Sequence, residues 1–556
     1  MMKNKRNSIV AAVMLLISPA LMAQDTLRTD VIDVVKNYNA TLSDAIKIKV
    51  LPNPEIPEFK APNLKYTLPA AQLALNPTFT VAKPLFMGSS ALPKLKNNYT
   101  KIGFGNYASP IFEFYMNSLR SRSYHANIFY KHYSAKGDKD FNRFSDNNFG
   151  GDFKRFYKKS TLSLTGNYQR NAFRAYGLPD SITDPGSFLQ IDPAKRILNT
   201  INLEGRVNNK QQDSSSFRYD LGLNYYLFQA TKYALDTKEH DIIFDGAFTK
   251  LIAGVHLVEL YTALNVVSAE TPYNRTYFHF NPDYHLSPYK GLHLKVGFNS
   301  TYFKDDQSNS NFNFFPVANA RYEVIPQKAI AFAGIDGGVI KNTNRTVLNE
   351  NRFAFPNGQF NNSIKKFEFY AGIKGNFSAK TGYLFSYGYR QMKDMIFFVN
   401  DYAYSRGADF TAMNDNARVT TIKGELNFQY SERMRLAAVA HVHAYKMDSL
   451  DKASQLPSTD LRLNATYNIG DKFLLKADVF FMNPRYSYVI DPISNPAGSY
   501  TKMKSLLDMN LGIDYRYNKT VSLFLNFNNL TANRYQRWYN YPVYGFNLHG
   551  GLNITF

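Results

Sequence analysis

The sequence predicts an all-β protein, a transmembrane antiparallel β-barrel of about 22 strands behind a short proline-rich N-terminal periplasmic segment. Three observations predict it. Apolar and polar residues alternate with period two through most of the chain beyond residue 98. Short polar turns alternate with long polar connections. Beyond the N-terminal stretch there is no apolar run of eighteen residues, so a membrane-embedded chain can satisfy its backbone polar groups only by closing a sheet on itself.

The elements follow in chain order. Lys3, Lys5 and Arg6 precede an apolar stretch from Ile9 to Ala23, the pattern of an export signal over residues 1–23 with the cut after Ala23. No Cys follows the cut, so no lipoprotein anchor is expected there. Residues 24–98 form the second segment. Pro52, Pro54, Pro57, Pro62, Pro69, Pro77, Pro84 and Pro93 exclude helices and central strands and favour extended chain. The expectation is a periplasmic tether, a partial occluder of the lumen or a docking strip.

Residues 99–556 are assigned to the barrel. Leu162, Leu164, Gly166 and Tyr168 alternate with Ser163, Thr165, Asn167 and Gln169. The same reading holds for Phe217–Leu227, Leu292–Phe298, Leu461–Ile469 and Leu507–Tyr517. In 366–377, Phe367, Phe369, Ala371 and Ile373 face one way and Lys366, Glu368, Tyr370 and Lys374 the other. Soluble β-sandwiches also alternate, but give no reason for connections to alternate in length. Here tight turns at 158–160, 287–291, 326–328, 378–381, 431–433, 470–472 and 518–520 alternate with long connections at 171–196, 341–365, 401–415, 446–458, 483–502 and 531–542. Strands of about 10 residues then number about 22, and an even count puts both ends of the barrel in the periplasm.

Composition removes several function classes. Without Cys there is no disulfide, thiolate metal site or cysteine nucleophile. The net charge of +21 comes without a basic run of five, and export argues against nucleic acid as a partner. Scattered Lys and Arg instead suit anionic lipid headgroups or an anion-attracting lumen. Gly103-Phe104-Gly105-Asn106-Tyr107-Ala108 mimics a dinucleotide spacing but sits in a strand with no helix after it. His441 and His443 share the inward face of one strand as a two-imidazole metal candidate without an evident third ligand, and Asp305-Asp306 reads as turn charge rather than a calcium site. Arg206, Lys295, Lys374, Lys423, Arg462, Lys476 and Arg516 fall on inferred inward faces, either lining a solute path or pairing with Glu204, Glu368, Glu425, Asp478 and Asp514. No catalytic constellation and no cofactor motif appear, and the chain is not expected to be an enzyme.

The closing stretch contains Asn528-Asn529-Leu530-Thr531, then Tyr535, Tyr541-Pro542 and Gly545, and ends on Phe556. It resembles the C-terminal end of TonB-dependent receptors. Gln455–Phe481 is similar to an upstream hairpin of that family, and Ala333–Gly338 with Asn342 and Asn351 is similar to Bacteroidota members. The resemblance implies a transport barrel that carries a bulky ligand. Val31-Ile32-Asp33-Val34-Val35 is similar to the stretch that opens a plug or forms the energy-coupling box, but the family's folded plug of more than a hundred residues does not follow it. Partners implied are outer-membrane lipids including lipopolysaccharide, together with a periplasmic energy-coupling protein, a surface lipoprotein or other outer-membrane complex subunits. A lumen of 22 strands is too wide to stand open, so the arm, folded-in loops or another protein must fill it. Two readings stay open: a transporter, and a plugless accessory subunit that docks partners through the arm and loops.

Overall fold

The computed structural model describes residues 96–556 except 138–141, 178–194, 210–216, 232–235, 253–255, 271–273, 307–309, 357–359, 403–407 and 492–494. The export signal, the prolines of the arm and the Val31–Val35 stretch lie outside the described residues.

One antiparallel sheet closes on itself. The first strand, Asn98–Gly105, pairs with Ile111–Asn117 on one side and with the last strand, Asn547–Thr555, on the other. Between them each wall strand pairs with its chain neighbour, except where the hairpin Arg485–Asp491 and Asn495–Met503 leaves the wall. There Phe473–Met482 pairs directly with Leu506–Arg516. Setting that hairpin aside, the ring has 22 strands. Closure removes the sheet edges and satisfies the backbone where no water reaches it. Asn98 and Phe556 exchange two backbone hydrogen bonds of 3.0 and 3.1 Å, so both ends of the wall share one rim. The tight turns lie on this terminal rim, and several need left-handed backbone, as at Gly291, Gly470 and Asp471. The long connections lie on the opposite, loop rim.

The outer face is the one that the alternation assigns to lipid. Phe104, Phe149, Leu203, Leu223, Phe244, Phe314 and Phe385 are all more than half exposed, an apolar surface that only hydrocarbon would cover. Tyr157, Tyr289, Tyr430 and Tyr517, each beside a terminal-rim turn, are likewise exposed and form an aromatic girdle at that interface.

Strand length departs from the expected ten residues: wall strands run from 7 residues in Ile111–Asn117 to 21 in Thr381–Asp401. The long hairpin Thr381–Asp401 and Phe410–Gln429 is covered on both faces near its tip. Its run Met395-Ile396-Phe397-Phe398-Val399-Asn400 is wholly buried and loses the alternation. A second departure lies in Ser363–Ser378. A bulge between Lys365 and Phe367 shifts the faces, so Lys365, not Lys366, joins Glu368 on the wet side. Lys365 Nζ stands 2.5 Å from both Asp336 and Glu368.

Close approach explains glycines at the closing seam. A Cβ on Gly103 would come within 2.5 Å of the inward ring of Phe524, and one on Gly551 would collide with the Ile102 carbonyl. The dinucleotide-like spacing is therefore barrel backbone at the point where the last strand meets the first.

Candidate functional site

The lumen wall is polar and largely self-paired. Arg206, on Lys195–Asn209, reaches Glu204 at 2.9 Å, Asp220 at 2.8 Å and Asp245 at 3.0 Å. Its register partner is Gly222, where a Cβ would strike the guanidinium. Lys295 pairs with Asp283 at 2.5 Å, Lys423 with Glu425 at 2.7 Å and Lys476 with Asp514 at 2.7 Å. Lys374 lies 5.6 Å from the Phe332 ring, and Arg462 lies over Phe480 with Asp460 at 3.8 Å. Arg516 is placed at the terminal rim, its guanidinium 3.5 Å from the Asp471 carbonyl. These cations do not converge on one point. Asp306 accepts from the Asn274 backbone at 2.9 Å, the turn role expected of it. His441 and His443 do sit together, and the structure adds Asp460 between them.

The feature that sequence reasoning missed is a folded core across the loop rim. The connection 341–362 carries a short helix, Asn344–Glu350, started by a capping box between Thr343 and Thr346. The helix lies over the strands Arg218–Thr231 and Thr237–Ile252: Lys341 Nζ is 2.6 Å and Arg345 is 3.0 Å from Asp241, and the Arg345 guanidinium covers the Tyr226 ring at 4.1 Å. Burial pushes the Lys341 ammonium below its ordinary range, with Asp241 opposing. Arg275 donates to the carbonyls of Asn342, at 3.0 Å, and Phe360, at 2.5 Å, and Tyr277 to Asn362 at 2.8 Å.

From these anchors the chain runs inward. Phe353 stacks on Tyr541 at 3.7 Å between ring centroids, and Phe173 meets Phe353 edge-on at 5.5 Å. Tyr541 is fully buried and donates to the Ala408 carbonyl; Trp538 packs on Phe398 at 5.2 Å and Phe410 at 5.8 Å. These rings, with Leu198, Phe228, Val347, Leu348 and Phe360, form one buried apolar cluster. Phe173 belongs to the fifth wall strand, Ser160–Arg174, and Phe398 to the fifteenth, Thr381–Asp401. Ten places apart on a ring of 22, they face each other across the lumen. Arg196 and Asp409, both buried, add an ion pair of 2.9 Å over the same span. Burial pushes the Tyr176 hydroxyl up to about 12 and that of Tyr541 well above its ordinary value.

The residues that carry the C-terminal resemblance build this core's last connection. The Asn529 side chain donates to the carbonyls of Asn533 and Tyr544 at 2.8 and 2.9 Å, and the Tyr535 hydroxyl donates to Asp508 at 2.6 Å. Tyr541 and Pro542 form one arm of a small hairpin with Gln536–Trp538.

No known family profile matches the sequence, and no curated protein matches it. Solved structures do match in fold. The FrpB iron transporter from Neisseria meningitidis is 10% identical with a TM-score of 0.66, over 84% of this chain and 83% of that one. The pyoverdine outer membrane receptor FpvA from Pseudomonas aeruginosa PAO1 is 12% identical with a TM-score of 0.65, over 84% and 79%. The ferric-catecholate import receptor Fiu from K12 E. coli, in its closed form, is 9% identical with a TM-score of 0.63, over 83% and 82%. The chain thus has the 22-stranded barrel fold of TonB-dependent receptors of the outer membrane, and these neighbours are transport receptors rather than enzymes.

Proposed function

We propose that this chain is an outer-membrane transporter of the TonB-dependent receptor type, that it passes a bulky ligand, and that the loop-rim core is its resting closure. The observation that carries the reading is the aromatic bridge from Phe173 to Phe398 through Phe353, Tyr541 and Trp538. It joins wall strands half a circumference apart. A barrel that only anchored partners would have little use for a hydrophobic seal across its own mouth. Among the neighbours, FrpB is named an iron transporter, FpvA is seen bound to ferripyoverdine and Fiu is named a ferric-catecholate import receptor, and the bulky class proposed here follows from the chelates and from the width of the ring.

In this reading lipid, including lipopolysaccharide, covers the apolar wall. Residues 24–98, with the Val31–Val35 stretch, meet a periplasmic energy-coupling protein, and a surface lipoprotein meets the loop rim. Planar-bilayer recording of the purified barrel tests the closure. Wild type should conduct little, and deletion of 344–360 should open a large pore. Deletion of 25–95 separates the two roles for the arm: cells should become permeable to large antibiotics if it serves transport, whereas an accessory subunit would lose co-purifying partners and keep its permeability.

A further inference from the structure

We propose that His441, His443 and Asp460 bind one divalent transition-metal ion of the zinc class at the lumen face, with a further coordination position open toward the lumen. This site does not depend on the transport reading. His441 and His443 stand two apart on Met434–Met447 and so share a face. Asp460, at the start of Thr459–Ile469, is the register partner of His441. Its two oxygens lie 3.2 Å from His441 Nδ1 and 3.5 Å from His443 Nε2, and the three donor atoms fall within 4.8 Å of one another. A tetrahedral ion with bonds of about 2.0–2.1 Å holds its donors roughly 3.3 Å apart, the spacing at which an Asp460 oxygen already stands from each imidazole nitrogen, leaving the two imidazole donors, within 4.8 Å of each other, to draw together on binding. Two imidazoles and a carboxylate are also the donor set of zinc sites with an open position.

The surroundings orient the ligands. The other ring nitrogen of His443, Nδ1, is 3.2 Å from the Thr421 hydroxyl on Phe410–Gln429, which leaves Nε2 directed at the site. The two imidazoles lie nearly parallel, 13° apart with centroids at 5.4 Å, so their nitrogen edges can serve one ion. The His443 and Asp460 side chains are 3% and 9% exposed and His441 is 13% exposed, which makes the His441 side the path to the lumen. Of the neighbouring cations, Lys423, the register partner of His441, pairs with Glu425. Arg462 lies over Phe480 but also stands 3.8 Å from Asp460, and Arg390 is close enough to act on His443, so an ion would compete with Arg462 for the Asp460 carboxylate. A bound ion would also fasten the connection 448–458, whose Ser458 carbonyl accepts from the His443 amide at 2.8 Å.

The test uses the full mature chain in detergent, stripped with chelator and titrated with Zn(II) by calorimetry and with Co(II) by visible absorption. One ion per chain is expected, with the intense Co(II) bands of a four-coordinate site. His443→Gln or Asp460→Asn should weaken binding by more than about 100-fold, and Thr421→Val, which removes a group orienting a ligand, by about 10- to 100-fold. His132→Gln, whose ring bonds Asn147 and Ser134 in another part of the wall, should leave it unchanged. Absence of saturable binding, or full binding in both His443→Gln and Asp460→Asn, overturns the proposal. Should Asp460→Asn fail to fold, His441→Gln takes its place with the same expectation.

Discussion

Tyr541→Ala is the sharpest perturbation of the closure. The ring is 1% exposed, stacks on Phe353 at 3.7 Å, meets Tyr176 edge-on at 4.9 Å and donates its hydroxyl to the Ala408 carbonyl. Truncating a fully buried aromatic costs about 3–5 kcal/mol. Tyr541 packs on Phe410 of the wall but takes no part in wall strand pairing, so the loss falls on the closed arrangement of the loops rather than on the ring of strands. At about 1.4 kcal/mol per factor of ten, the ratio of closed to open mouths should drop by about a thousandfold. Tyr541→Phe keeps the ring and strands one carbonyl, a cost of about 1–2 kcal/mol and a roughly tenfold drop. Two assays read this together. Conductance in planar bilayers reports the mouth, and the emission of Trp538, the single tryptophan, reports the core in which it packs on Phe398. Alanine should raise the frequency of large openings and shift Trp538 emission to the red, with phenylalanine between it and wild type. If the alanine variant, folded and heat-modifiable on gels, keeps both wild-type conductance and wild-type emission, the core is not the closure.

The remaining predictions concern the anchors and the seam. Asp241, 1% exposed, faces both Lys341 and Arg345; Asp241→Asn leaves two cations without their carboxylate at a cost of about 3–5 kcal/mol, and limited proteolysis should cut within 341–362 while the barrel stays intact. Alkaline pH should loosen the same core. The Tyr176 hydroxyl is raised from 10.0 to about 12 by burial, so its contribution is fully present below about pH 10 and is lost as pH rises toward 12. Tyr541 shifts in the same direction, and Trp538 emission followed against pH should move in that window before the strand signal in circular dichroism changes. Gly551→Val should prevent closure between the first and last strands and abolish the heat-modifiable form, whereas Gly424→Val, with nothing within 4 Å of its new Cβ, should assemble normally.

The wall was legible in the sequence because its physics is local. A strand between lipid and water must alternate, and a tight turn must carry the residues that tolerate its backbone, so Leu164, Val296, Phe369 and Leu463 could be assigned to lipid without knowing their neighbours. The same local rule fails where its premise does. The bulge at Lys365 moves one residue out of phase, and no composition signal marks it. At 395–400 both faces of the strand are covered, so the alternation gives way to the unbroken apolar run 395–399, closed by a buried Asn400.

The loop-rim core was illegible for a different reason. Its contacts join residues far apart in the chain: Arg196 with Asp409, Tyr176 with Tyr541, Asn344 with Thr237. Nothing in the spacing of aromatics along 341–362 or 529–546 says that they meet. The third member of the histidine cluster was hidden in the same way. Asp460 is seventeen residues from His443 and reaches it only because the strand register returns it there. What the sequence did hold was indirect. Tyr535 and Tyr541 were singled out by resemblance, and the structure gives both a physical task, one tethering the last connection to Asp508 and the other filling the centre of the bridge. The single Trp and the apolar run at 395–399 are the remaining signals. In a chain whose lipid face already needs many aromatics, a tryptophan in a polar connection and a doubly covered strand tip both point to apolar packing away from the lipid. That surplus, rather than the alternation, is where the sequence records the loop-rim core.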